Sequence, residues 1–180
     1  DSPWVAWILE QAVKYPEAIG LYPDMGIFTK YPRPYARERQ IKAGTLTREI
    51  ALYIEDAYKK GVAKEEVASK VKGMKPKEGD TKYIETVYRS ANAYQDVNKL
   101  VPMFPYCKAI HGKFWEMEKG NVYNDTQITY DSVVPVLMAK GYDGYILSEY
   151  EGQRSMDVAD VNELDEVRRQ HLMLKRLMGV

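Results

Sequence analysis

The stretch GYDGYILSEYEG, residues Gly141 to Gly152, holds the pattern that decides the fold. A short apolar run, Tyr145-Ile146-Leu147, follows two glycines and runs into Glu149. A run this short, bounded by turn residues, predicts a buried strand from Tyr145 to Glu149 that ends on an acid. Just before it, the pattern from about Asp131 to Lys140 predicts a helix. Pro135 sits early in that helix, where a missing N–H is tolerated, and Gly141 stops it.

The same order recurs towards the N-terminus. Tyr106 to His111 predicts a strand ending on a histidine. Ala18 to Tyr22 predicts another, followed by the turn residues Pro23-Asp24-Met25-Gly26. A stripe at Trp4, Ile8, Ala12 and Tyr15 predicts the first helix. Thr29 to Gly44, with Pro32 and Pro34 and three arginines (Arg33, Arg37, Arg39), is expected to be a loop. Helices are predicted over Thr47–Gly61, Lys64–Val71 and Thr81–Asn98, the last after the turn-rich Lys75–Asp80. Glu163 to Met178 predicts the closing helix.

Strands that alternate with helices imply parallel pairing through right-handed crossovers. Three parallel strands alone would leave both sheet edges open, and a complete (β/α)₈ barrel typically needs about 250 residues. The expected fold class is therefore α/β: the C-terminal half of a (β/α)₈ TIM barrel, with three parallel strands and their helices. It forms one partial domain, 1–180, with a helical insertion at approximately 45–99. Asp1-Ser2-Pro3 supplies a helix cap and a first-turn proline, with no initiator methionine. A chain opening in this way is expected to be a piece of something longer.

Composition removes several function classes. Twenty-six basic residues balance twenty-six acidic ones, so no broad field favours nucleic acid or anionic membrane. Val133 to Ala139 is the richest apolar stretch and is far too short to cross a bilayer. Cys107 is the only cysteine, which excludes an internal disulfide and points to a reducing, cytoplasmic setting.

The chemistry lies at the strand ends. In parallel α/β proteins the C-terminal ends of the strands face the active site. The three expected strands lead to Asp24, His111 and Glu149, all metal-capable. Taken singly, Asp24 is also an ordinary turn residue before Gly26, and His111 is also an ordinary core histidine. Glu149 follows Ile146 and Leu147, and a carboxylate there is costly to bury without a charge partner.

The segments GLYPDMG (Gly20–Gly26), IHGKF (Ile110–Phe114) and GYDGYILSEYEG resemble the xylose-isomerase-like sugar isomerase/epimerase barrels. In that family one metal is held by a glutamate, an aspartate, a histidine and a glutamate from four successive strands. The resemblance implies Asp24, His111 and Glu149 as three of the ligands, with the first glutamate on a strand preceding Asp1. It implies a divalent metal, most readily Mn²⁺, with Mg²⁺, Co²⁺ or Zn²⁺ as alternatives. Two positions depart from the family pattern. Ile27 stands where many epimerases place a substrate-binding histidine, and Phe114 replaces an acid after Lys113. The interval from Asp24 to His111 is also more than twice that from His111 to Glu149, too long for one βα unit. IHGKF with SEYEG is more similar to a branch that includes the catalytic subunits of C-glycoside-cleaving enzymes.

The implied reaction is proton transfer next to a metal-polarised sugar carbonyl, with Glu149 as catalytic base and acid. The outcome is isomerisation or epimerisation; the alternatives are cleavage of a C-glycoside of a 3-keto sugar, or a non-catalytic fragment or subunit. Lys113, Trp115 and Arg154 are the candidate substrate-binding residues. Glu151 and Arg154 are a candidate ion pair, and Tyr22, Phe28, Phe114 and Trp115 are either sugar-stacking or core aromatics. His171 is expected to be structural. Expected partners are a small sugar or glycoside, the missing N-terminal half-barrel or another subunit, and an oligomeric assembly. The abasic-site endonucleases that share the barrel need several histidines, and this chain has two.

Overall fold

A computed structural model describes residues 3–152 and 161–180. The capping role of Asp1 and Ser2 and the proposed role of Arg154 lie outside the described residues. The chain divides into two compact units, one of 1–28 with 95–180 and the other of 29–94.

The first unit opens with α1 (Pro3–Lys14). A 3₁₀ turn at Met25–Phe28 follows, and two more span Val97–Lys99 and Val101–Tyr106. Then come β1 (Ala109–Phe114) and β2 (Tyr145–Tyr150), parallel and in register, with His111 opposite Leu147 and Lys113 opposite Glu149. The crossover between them carries α6 (Tyr130–Ala139), and α7 (Glu163–Met178) closes the chain. Side chains alternate across a strand, and β1 shows that period clearly. Ile110 and Phe114 are buried in the core with Val133, Val134, Leu137 and Met173, while His111 and Lys113 point to the opposite face and are only half-buried. Gly112 permits the close approach of the strands, since a Cβ there would meet the Leu147 carbonyl oxygen at 2.9 Å.

The expected half-barrel with three parallel strands is not what forms. Among the described residues 57 % are helical, and the sheet has two strands. In place of the expected strand at Ala18–Tyr22 there are only isolated parallel bridges, Leu21 with Cys107 just before β1 and Asp24 with His111 in β1. The physical reason is local. Pro23 has no N–H to extend a ladder, so it contributes only its carbonyl, which accepts from His111 N at 2.8 Å. The chain then tightens into the 3₁₀ turn at Met25. β1 likewise begins three residues later than expected, because Pro102 and Pro105 hold Val101–Tyr106 in 3₁₀ conformation.

The second unit consists of α2 (Pro34–Lys42), α3 (Arg48–Lys59), α4 (Lys64–Lys72) and α5 (Glu78–Ala93). The expected loop at Thr29–Gly44 contains α2, and Pro34 sits at its first position, where a fixed φ favours helix. Ile50, Ile54, Val67, Val71, Ile84 and Val87 form the core of this unit. Asp80, fully buried, accepts from the backbone N–H groups of Thr47 and Lys77 and from the Thr47 hydroxyl. It thereby ties together the starts of α3 and α5. Glu55 accepts from Arg37 at 2.6 Å and from the Tyr83 hydroxyl at 2.5 Å, a satisfied buried network with a structural role.

Candidate metal centre

Three elements of the first unit bring three chemically capable side chains to one point. Asp24 leads from the bridge segment into the 3₁₀ turn, His111 sits on the open face of β1, and Glu149 sits on the same face of β2. Their ligand atoms all lie within 4.8 Å of one another. His111 Nε2 is 3.0 Å from Glu149 Oε2, and His111 Nδ1 is 3.7 Å from Asp24 Oδ2. Asp24 is fixed from behind, because the Gly26 N–H donates to its Oδ1 at 2.6 Å. A Cβ at residue 26 would come within 3.0 Å of that oxygen and 3.2 Å of Lys113 Cδ, so glycine keeps the turn tight.

Glu149 Oε2 is buried and takes no hydrogen bond of acceptable geometry among the described residues, despite its 3.0 Å separation from His111 Nε2. A buried carboxylate oxygen without a hydrogen bond is costly. A divalent cation among the three groups would remove that cost, and two carboxylates with an imidazole suit such an ion. The residues present therefore fit a metal.

Lys113 enters the same space. Its Nζ is 2.7 Å from Asp24 Oδ2, 3.5 Å from Glu149 Oε2 and 3.8 Å from Glu151 Oε1. The hydrogen bond to Asp24 holds the Lys113 ammonium above its ordinary pKa, against the opposing effect of partial burial. Tyr22 stacks at a tilt on His111, with ring centroids 5.0 Å apart. Trp115 lies just past β1, half-buried, and its backbone N–H donates to the Asp125 carboxylate. Phe28 and Phe114 are core residues. His171 is exposed on α7 and bonds the Ser148 hydroxyl at 2.9 Å.

Two residues that support the site carry no obvious motif. The Tyr130 hydroxyl donates to the Lys113 carbonyl at 2.8 Å, satisfying the edge of β1 where the 21–24 segment has ended. Gln170 Nε2 donates to the Gly112 carbonyl at 2.8 Å and to the Tyr130 hydroxyl at 3.1 Å. Together they clamp the backbone between His111 and Lys113. A signal existed for Gln170: it is a polar residue on the buried stripe of α7, with Glu166, Met173 and Leu174.

Over 74 residues the chain is 27 % identical to a C-glycoside deglycosidase alpha subunit from Arthrobacter globiformis, which is 41 % of this chain and 20 % of that protein. The match thus spans about a fifth of the length of that curated relative. No protein-family model matches the chain, so the resemblance to the xylose-isomerase-like barrels gains no support from that side. The distant relative is an enzyme subunit named for action on a glycoside. No helix among the described residues is long and apolar enough to cross a membrane.

Proposed function

We propose that this chain carries the metal and proton-transfer centre of a carbohydrate-acting enzyme. Asp24, His111 and Glu149 hold a divalent ion, Mn²⁺ by preference, and Glu149 moves a proton at the carbon beside a sugar carbonyl. The observation that carries this reading is the convergence of Asp24, His111 and Glu149 on one point, with a buried Glu149 oxygen that takes no hydrogen bond. When bound there, the ion would draw electron density from the carbonyl oxygen and so acidify the neighbouring C–H.

The chain's own residues do the rest. Glu149 takes the proton, and the electron pair of the C–H bond becomes a C=C bond. Lys113, on the same strand face, offers its ammonium to a substrate oxygen. The Gly26 N–H keeps Asp24 oriented towards the cluster. If the proton returns to the neighbouring carbon or to the opposite face, the outcome is isomerisation or epimerisation. If the bond one carbon further breaks, its electron pair leaves with the aglycone carbon, which is then protonated. Similarity to a C-glycoside deglycosidase subunit favours this last, lyase outcome on a 3-keto C-glycoside. That relative's name as an alpha subunit also favours a second polypeptide as partner.

Incubation with Mn²⁺ and a keto-sugar in D₂O is the test. Deuterium entering the carbon next to the carbonyl, and a loss of about 10²–10⁴-fold in that exchange in Glu149→Gln, is the expected result. Exchange unaffected by Glu149→Gln would end the role of Glu149 as base.

A second reading has its own support. Lys113 already sits among both carboxylates, 2.7 Å from Asp24. On this reading it is the resident cation, and the cluster is a metal-free ion network that binds a sugar without transforming it.

A further inference from the structure

Between β1 and α6 the chain folds back on itself over residues 115–129. Met117 bridges Asp125 in antiparallel fashion, and the Thr126 N–H donates to the Glu116 carbonyl. This return carries polar side chains into the interior. Asp125 and Gln127 are buried there, and Gln170 is buried on α7; the two glutamines are 1 % and 0 % exposed. Outside the metal cluster, five buried side-chain atoms take no hydrogen bond among the described residues. They are Asp125 Oδ2, Thr126 Oγ1, Gln127 Oε1 and Nε2, and Gln170 Oε1.

These atoms share one neighbourhood. Asp125, Thr126 and Gln127 are consecutive, and the Gln127 and Ile128 N–H groups both donate to Asp125 Oδ1, which curls the chain round the carboxyl. Gln170 Nε2 donates to the Tyr130 hydroxyl at 3.1 Å. Burial, and then the nearby Asp125 carboxylate, push that hydroxyl well above the ordinary phenol pKa. Reorienting the amides does not help. Turning Gln170 over would take the donor from the Gly112 carbonyl, 2.8 Å away, and both ends of Gln127 are unmet. No cation is among the groups acting on the Asp125 carboxyl.

Native folds keep nearly all buried polar groups hydrogen-bonded, so this set calls for a guest. Four oxygens need donors, whereas Gln127 Nε2 needs an acceptor. A metal ion would serve the oxygens and leave the nitrogen unmet. Water serves both, and a buried water makes about three hydrogen bonds. We infer that the 115–129 loop encloses about two ordered waters that join Asp125, Thr126 and Gln127 to Gln170 of α7. With acceptors in excess, the protonated Asp125 carboxyl donates into the same network, which keeps its pKa near the value of about 7 that burial gives it. Gln170 in turn holds the Gly112 carbonyl and the Tyr130 hydroxyl, and Tyr130 holds the Lys113 carbonyl. The waters fix the remaining end of Gln170 and so complete the clamp under the strand that carries His111.

Water–protein NOE and ROE spectra test this, the two together separating contact from proton exchange. Cross-peaks to water that tumbles with the protein are expected at the side-chain NH₂ groups of Gln127 and Gln170. In Gln127→Met, a swap of similar shape, the cross-peak at Gln170 should be lost while the backbone spectrum stays that of the folded protein. Thr126→Val, which keeps the shape and removes one partner, should weaken it. No long-lived water at either glutamine overturns the inference. So does a Gln170 cross-peak unchanged in both variants, since the waters would then not join the two elements. A urea midpoint that rises in NaCl or KCl over choline chloride at equal ionic strength, or with Ca²⁺ in Glu149→Gln, puts a cation in place of water and overturns it as well.

Discussion

The Lys113 ammonium lies 2.7 Å from Asp24 Oδ2, and in the strand register Lys113 stands directly opposite Glu149. One monovalent cation thus occupies the space to which two carboxylates and an imidazole would draw a divalent one. Like charges this close repel by on the order of 1 kcal/mol or more even in water. Lys113→Met should therefore bind Mn²⁺ about tenfold more tightly than the unsubstituted protein, as measured by loss of the free-ion EPR signal. Weaker binding in Lys113→Met would show that the ammonium supports the ion, not competes with it.

The backbone clamp gives a stability prediction. Tyr130 is 1 % exposed, and its hydroxyl both donates to the Lys113 carbonyl and accepts from Gln170. Tyr130→Phe takes this donor from the buried Lys113 carbonyl and leaves Gln170 with the Gly112 carbonyl alone, a loss of about 1–3 kcal/mol. Urea unfolding should show a lower midpoint with an unchanged slope. A midpoint equal to that of the unsubstituted protein would mean that water or another group satisfies the strand edge.

Asp125 supplies a pH dependence. Burial pushes its carboxyl up to about 7, against the backbone N–H groups of Ile128, Gln127 and Trp115 that donate to it. The unfolded chain releases this proton near the ordinary value of 3.8, so between about pH 3.8 and 7 the folded state holds more protons. The contribution of Asp125 is fully present below the unfolded pKa and is lost as pH rises through the folded one. Asp125→Asn keeps an oxygen for the Gln127 and Ile128 N–H groups and removes the titration. Its stability curve should lack the fall that the unsubstituted protein shows over that interval. Parallel curves for the two proteins would contradict the assignment.

Much of the site was legible because strands carry a period of two and helices one of 3.6. That periodicity placed Asp24, His111 and Glu149 each at the end of an apolar run, and the structure brings the three together. It also put Lys113 on the face of His111. The third strand was misread because an apolar run shows where side chains can be buried, whereas a ladder needs N–H groups, and Pro23 interrupts them. α2 was missed because Pro32 and Pro34 together suggested a loop, although Pro34 begins the helix. The clamp by Tyr130 and Gln170 is a contact between residues far apart in sequence and leaves no local pattern apart from a polar residue on a buried stripe.

The metal centre is tested most directly by titrating the protein with Mn²⁺ and following the free-ion EPR signal, alongside Asp24→Asn, His111→Ala and Glu149→Gln. One saturable site per chain is expected, weakened at least about tenfold by each substitution. His111→Ala should unfold within about 4 °C of the parent, because a half-buried imidazole on the open strand face adds little to the core. No saturable site in the unsubstituted protein, or binding that survives all three substitutions unchanged, would contradict the assignment of Asp24, His111 and Glu149 as ligands of one ion.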